Sequence, residues 1–332
     1  MLRVLNKLLS IDGREVTFAR RGFSSAKPEI QARLEHVGTI FLVGYHAALQ
    51  ERALDGLKGR LEQAAPEFRG FAYEGAAMAL ALQDAIVPGS NRLTEFMAGS
   101  GKTHIYMLHV GAGWAYARLP WLRWRIEAVI RKFDPVLRWL VLDGYGFHQG
   151  YFHFKAPVDS TVNRLSMDAR HVFYQGLGRS LWFVHGCDFH RIAQTISGFP
   201  AIYQGDAWSG IGLACSYAGG ATLREMEETV ALAGRFNSTL AQGAAFAAKA
   251  RQLASNEETH TEQACAILVG IKAQQAAALC DRALAQVNRN SSSAYQQWRE
   301  LVQNSFSFTR NPLRGNSHEY ELFQPLVSAH PD

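Results

Sequence analysis

LHVGAGWAYARL, residues 108–119, is apolar around its whole circumference when wound as a helix, and it carries Gly111 and Gly113 among small residues. A segment of that kind suits a helix buried on every side. Seven others share its look: FLVGYHAAL (41–49), FAYEGAAMALAL (71–82), LVLDGYGFHQGYF (140–152), VFYQGLGRSLWF (172–183), DAWSGIGLACSYAGG (206–220), TLAQGAAFAAKA (239–250) and AILVGIKAQQAAAL (266–279). Their glycines stand at 44, 75, 111, 144, 176, 210, 243 and 270, spaced by 31, 36, 33, 32, 34, 33 and 27 residues. A period near 33 is the length of two short helices with their turns, the size class of tetratricopeptide-like units. Glycine costs about 1 kcal/mol against alanine inside a helix, so its recurrence points to places where backbones approach closely.

Between these segments run amphipathic stretches: ERALDGLKGRLEQA (51–64), RWRIEAVIRKF (123–133), FHRIAQTISGF (189–199) and TLREMEETVALAGRF (222–236). Their apolar residues recur at three- and four-residue steps, as on a helix with one solvated face. Pro66, Pro135 and Pro200 follow three such stretches, each placed for a helix stop, a turn and a fresh start. Longer blocks are duplicated as well: Arg69-x3-Tyr73-Glu74-Gly75 matches Arg170-x3-Tyr174-Gln175-Gly176, and Gly111-x-Gly113-x-Ala115 matches Gly210-x-Gly212-x-Ala214. The expected fold is all-α, an array of helical-hairpin, tetratricopeptide-like repeats in two pseudo-repeated halves. The expected boundaries are an N-terminal segment (1–27), a helical-repeat domain (28–290) and a C-terminal helix with an irregular tail (291–332). Within the domain the pseudo-repeats cover about 28–118 and 128–220, followed by a helical extension over 221–290.

The chain has 332 residues, 48% hydrophobic and only 19% charged, which excludes a disordered or fibrous protein and makes its buried polar residues the informative ones. Cys187, Cys215, Cys265 and Cys280 show no paired spacing, so free, buried thiols in a reducing compartment are expected. No apolar run reaches the ~20 residues that span a bilayer, and the first residues lack a signal-peptide pattern; the expectation is a cytoplasmic protein. Leu2, Val4, Leu5, Leu8 and Leu9 beside Arg3 and Lys7 form an amphipathic start suited to a membrane surface, an acidic partner or the protein's own core. The net charge of +5 is spread along the chain, and no nucleic-acid partner is expected.

Gly99-Ser100-Gly101-Lys102-Thr103 imitates the end of a phosphate loop, but Phe96 stands where the pattern needs its first glycine. The pairs His104/His109, His148/His153 and His185/His190 lie five residues apart, a step that turns the two rings away from each other on a helix, and no metal site is expected. Polar groups inside the glycine segments are more specific. Glu74, His109, Asp143, His148 and Arg179 are the candidate catalytic groups, and Tyr45, His46, Tyr73, Trp114, Tyr174, Gln175, Trp182 and Trp208 the candidate substrate contacts. A buried carboxylate must be paired, protonated or face a cavity, and Arg179 is the nearest partner for Glu74 and Asp143 by repeat position. These residues form either a satisfied core network or the polar end of an aromatic-lined pocket.

The segments IDGREVTFARRGF, LEHVGTIFLVGYHAAL, RGFAYEGAAMALAL, HVGAGWAYARLP, LDGYGFHQGYF, YQGLGRSLWFV and DAWSGIGLACSYAGG occur in order over nearly the whole chain. Together they resemble the UnbL-type family of unknown function from enediyne polyketide gene cassettes. The resemblance implies a role beside an iterative polyketide synthase that makes a linear polyene. It also implies partners from the same cassette, including an UnbV-type protein and an integral membrane protein, through which the chain would sit at the membrane periphery. The implied step is tailoring of the polyene, by desaturation or cyclisation, toward a polyyne or enediyne. It assigns no catalytic residue. An apolar tunnel lined by aromatic residues would suit such a hydrocarbon. The expected function is an enzyme, or a subunit of one, binding a linear polyene; the alternatives are a helical-repeat scaffold and a polyene carrier. Neither a CxxCH motif nor a dinucleotide fingerprint is present, so any cofactor is left unknown.

Overall fold

A computed structural model describes residues 9–307 apart from 25, 157 and 159, so the expected C-terminal tail lies outside the described residues. The described residues contain helices and no strand. Seven long helices carry the architecture: α1 (Pro28–Gln50), α2 (Pro66–Ile86), α3 (Ile105–Arg118), α4 (Leu140–His153), α5 (Met167–Val184), α6 (Gln204–Ala218) and α7 (Asn237–Ala254). Two more, α8 (Ala273–Ala285) and α9 (Ala294–Ser307), close the C-terminal end.

Local signals set the helix ends. Pro28 and Pro66 sit in the first turns of α1 and α2, where proline's missing N–H costs nothing. Ser166 caps α5 by accepting from Ala169 N, and Thr222 with Glu225 forms a capping box at the start of the connecting helix Leu223–Ala233. The connecting helix Phe189–Ser197 buries Phe189, Ile192 and Ile196 on one side, as its spacing predicts.

Each long helix packs against the next one in the chain, from α1 through α8. Glycine makes this packing close. A Cβ at Gly111 would overlap Glu74 O on α2, and one at Gly113 would overlap Val141 O on α4. The same holds on both sides of α4 (Gly144 on Val110 O, Gly146 on Phe173 O), of α5 (Gly176 on Asp143 O, Gly178 on Ala207 O) and of α6 (Gly210 on Gln175 O, Gly212 on Leu240 O). Residues two apart on a helix point about 200° from each other, so a Gly-x-Gly pair bares both flanks at one height. Gly113 meets Val141 whereas Gly144 meets Val110, so the chain order reverses and neighbours run antiparallel. Gly270 departs from the expected series: it ends a helix with φ +86 and has nothing near it.

The array curls until its ends meet. Arg251 on α7 donates to Tyr217 O at 2.6 Å and to Glu67 O on α2 at 3.3 Å, while Arg33 on α1 donates to Ala218 O at 2.6 Å. The ring of Tyr217 stands edge-on to Phe71, 5.3 Å between centroids. Helices that pack chiefly on their sequence neighbours thus enclose a common interior. The four cysteines are free and buried, and burial pushes their thiols up. Among the described residues no single helix is long and apolar enough to cross a membrane.

Candidate functional site

On α2 to α6 many of the residues that face the interior stand at −4, −1, +3 or +7 from Gly75, Gly111, Gly144, Gly176 or Gly210. They include Phe71, Glu74 and Met78 on α2, Met107 and Trp114 on α3, Phe147 and Tyr151 on α4, Arg179 and Phe183 on α5, and Leu213 and Tyr217 on α6. With Val37 and Phe41 of α1 they line a cavity of about 70 Å³. A second chamber of about 40 Å³ lies beyond, walled by Tyr106, Val110, Leu140, Phe246 and Trp298. Met107, Arg179, Leu213 and Tyr217 line both chambers, so the two adjoin with these side chains as the waist between them. The partly exposed Ile11, Glu15, Val16 and Gly38 edge the larger chamber. Hydrogen bonds from Ile11 N to His46 Nε2 and from Tyr45 Oη to Leu9 O hold the N-terminal segment against α1 there.

The waist is where the charge sits. Arg179 Nη2 lies 2.7 Å from Asp143 Oδ1, and Nη1 lies 3.9 Å from Glu74 Oε1. Trp114 Nε1 donates to Glu74 Oε1 at 2.9 Å, and Gln175 Nε2 donates to Asp143 Oδ2 at 2.8 Å. The guanidinium also stacks over Phe147, 4.5 Å from its centroid. Glu74, Asp143 and Arg179 are 3%, 1% and 6% exposed, so little water screens them. Burial pushes the Glu74 carboxyl up to about 7, against the pull of Arg179 and Trp114 and with the help of the Asp143 charge. Near neutral pH it therefore exists in both protonation states.

From the waist a polar belt runs along the −1 positions. Ser209 Oγ donates to Gln175 Oε1 at 3.4 Å and to Gln242 Oε1 at 2.9 Å, and Arg299 Nε reaches Gln242 Oε1 at 3.4 Å. Arg299 continues to Asp206 at 2.7 Å, and Asp206 to His171 at 2.6 Å. The −1 residues of α2 and of α4 to α7, Glu74, Asp143, Gln175, Ser209 and Gln242, thus place one polar group each at the glycine level, where the backbones are nearest.

A family model described as a protein of unknown function, DUF1702, matches residues 1–306. The chain belongs to that family. No curated protein and no solved structure matches it. Of the residues singled out in the sequence of this DUF1702 chain, the structure brings Glu74, Trp114, Asp143, Gln175 and Arg179 together. It places the rest elsewhere. His109 hydrogen-bonds Ile105 O at 2.8 Å and faces Phe133; burial lowers it to about 4. His148 packs edge-on to Trp114 and beside Phe152, behind the chamber wall, and burial lowers it to about 3. Tyr73 donates to Glu62 at 2.7 Å and stacks on His104, Tyr174 stacks on Tyr203, and Trp182 donates to Gly219 O at 3.0 Å. Trp208 is buried without lining either chamber. Tyr73, His109, Tyr174 and Trp208 all stand two residues before their glycine, about 100° from the −1 position, and so miss the chambers.

Conversely, Phe41, Met78, Met107, Phe147, Phe183 and Leu213 line the chambers and were not among the sequence candidates. Met78, Phe147 and Leu213 each stand three residues after their glycine, a recurrence visible in the sequence. The phosphate-loop look-alike joins two helices and follows Arg92–Ala98, a helix rather than a strand. Among the described residues no three of His, Cys, Asp and Glu group as metal ligands.

Proposed function

We propose that this DUF1702 chain acts in natural-product biosynthesis by holding a linear polyene or polyketide chain in these chambers while that chain is tailored. The observation that supports this reading is a pair of apolar, aromatic chambers that adjoin at one buried arginine and two carboxylates. A long hydrocarbon would gain by leaving water for such walls, at about 25 cal/mol per Å² buried. Glu74, poised near neutrality, is the group able to give or take a proton on the chain. Of the two tailoring reactions implied by the enediyne-cassette resemblance, cyclisation needs chain folding and proton transfer, which the waist can serve. Desaturation would draw its oxidant from a partner enzyme. The recurring Gly-x-Gly level also supports a duplicated helical-hairpin unit and two pseudo-repeated halves.

The test uses a C18 conjugated tetraene, whose fluorescence rises in an apolar site and which quenches Trp114. Saturable binding is expected, and Leu213→Trp, which fills the junction of the chambers, should abolish it. A folded protein that takes up no tetraene would overturn the reading.

A second reading has its own observation. Trp121 and Trp124 are 57% and 58% exposed beside Arg123 and Arg125, on a surface suited to docking a cassette partner. A scaffold role predicts that Trp121→Ala with Trp124→Ala removes a partner complex and leaves tetraene binding unchanged.

A further inference from the structure

The larger chamber, at about 70 Å³, is too small for a chain of conjugated carbons, since an apolar cavity of about 150 Å³ is what holds a single benzene ring. Such a chain enters only if part of the wall gives way. The long helices are poorly placed to do so, because α1 to α7 are seated on one another's backbone at their glycines, and a shift of either partner drives it into carbonyl groups.

Residues 9–17 differ. Ile11, Glu15 and Val16 line the larger chamber, yet none of residues 9–17 is buried. Val16 sits in a notch on α1 at Gly38, 2.6 Å from where a Cβ there would stand. The segment is held from outside by Tyr45 Oη donating to Leu9 O at 2.6 Å and by Ile11 N donating to His46 Nε2 at 3.3 Å. A third bond, from Tyr151 Oη to Val16 O, is long at 3.5 Å. Its charged groups pair within the N-terminal segment itself, Asp12 with Arg14 and Glu15 with Arg20 and Arg21, so they would travel with it. The stretch that follows is anchored. Phe18 is buried and its N–H donates to Glu35 at 2.9 Å, Phe23 packs edge-on against Tyr151 and Phe154, and Ser24 N donates to Val184 O at 2.9 Å.

We infer that residues 9–17 form a strap that lifts off α1, about the anchor at Phe18 to Ser24, to admit the ligand, and that the bound ligand keeps it displaced. The inference rests on the ligand-holding role proposed above and adds the way in. Lifting vacates the space filled by Ile11 and Val16 and opens the chamber along Val37, Gly38 and Phe41 of α1. The apolar atoms of the entering chain take over the contacts that Ile11 and Val16 give up, so the burial lost by the strap is recovered by the ligand. A segment with no buried residue is the part of a fold that opens at least cost. Gly38 sets the fit of the strap, because any side chain there would hold Val16 away from α1.

The experiment follows uptake of the C18 conjugated tetraene by the purified full chain, in stopped flow, through quenching of tryptophan fluorescence. Val16→Cys with Gly38→Cys ties the strap to α1 when oxidised and frees it when reduced. The reduced form is expected to take up tetraene at least about tenfold faster than the oxidised form. Gly38→Ala, which needs no cross-link and favours the helix, pushes Val16 out of its notch and should speed uptake by about tenfold over the unaltered protein. Hydrogen exchange reads the unaltered protein directly: bound tetraene should raise exchange in residues 9–17 and leave residues 18–24 as they were. Equal uptake by the oxidised and reduced forms, no gain from Gly38→Ala, or exchange in residues 9–17 unmoved or lowered by bound tetraene overturns the inference and leaves the ligand-holding role standing. No uptake by the unaltered protein overturns that role and this inference with it.

Discussion

The indole N–H of Trp114 donates to Glu74 across the α2–α3 boundary at 2.9 Å, directly above the level where Gly111 lets those helices touch. That bond favours the ionised carboxylate, so its loss moves Glu74 further up. Trp114→Phe is therefore expected to raise the Glu74 titration above its value of about 7, read by carbon-13 NMR of labelled glutamate. An unchanged or lowered midpoint would show that the indole does not stabilise the anion.

Buried histidines are expected to make stability depend on pH. His104, His109 and His260 are lowered to about 4 and His148 to about 3, in each case chiefly by burial. A depressed folded pKa means that the unfolded chain binds the proton first, so their stability is present above about 6.5 and is lost as pH falls toward 4. Glu74 works the other way. Its pKa is raised from 4.5 to about 7, so its contribution is full below 4.5 and lost as pH rises through 7. The melting temperature should fall between pH 6.5 and 4, and Glu74→Gln should steepen that fall by removing the opposing slope. A profile flat over this range would contradict the assignment.

Substitution of the crossing glycines separates close approach from helix propensity. Gly144→Ala and Gly176→Ala would each force a Cβ onto a backbone carbonyl of the adjoining helix. Overpacking against backbone is expected to cost about 3 kcal/mol or to prevent folding. Gly59→Ala, in the connecting helix Leu54–Leu61 with nothing within 4 Å, should gain up to about 1 kcal/mol. Urea unfolding distinguishes the two, and equal effects would mean that the glycine level is not a packing requirement.

The waist ion pair is also a stability element. Arg179→Met alone leaves Asp143 buried and unbalanced, for an expected loss of about 3–5 kcal/mol. Adding Asp143→Asn should recover a large part of it. Failure of the second substitution to rescue would mean that the two residues act independently.

Much of this was readable in the chain. Apolar segments with caps and prolines form helices through local energetics, so the all-α class and the element order follow from residues close in sequence. The glycine period likewise marks backbone contact, and the cost of burying Glu74 and Asp143 points to Arg179. Which side of each helix looks inward was not readable. A segment such as LHVGAGWAYARL is apolar all round, and no face of it is preferred until neighbours are present. Ring closure made that choice. It brought Glu74 to Arg179, 105 positions apart in the chain, and sent Tyr73, His109, Tyr174 and Trp208 to the other side. The sequence determined the helices and their contact points because those depend on local backbone and desolvation energies; the chambers and their waist depend on where the array bends back on itself, which only the sum of long-range packing decides.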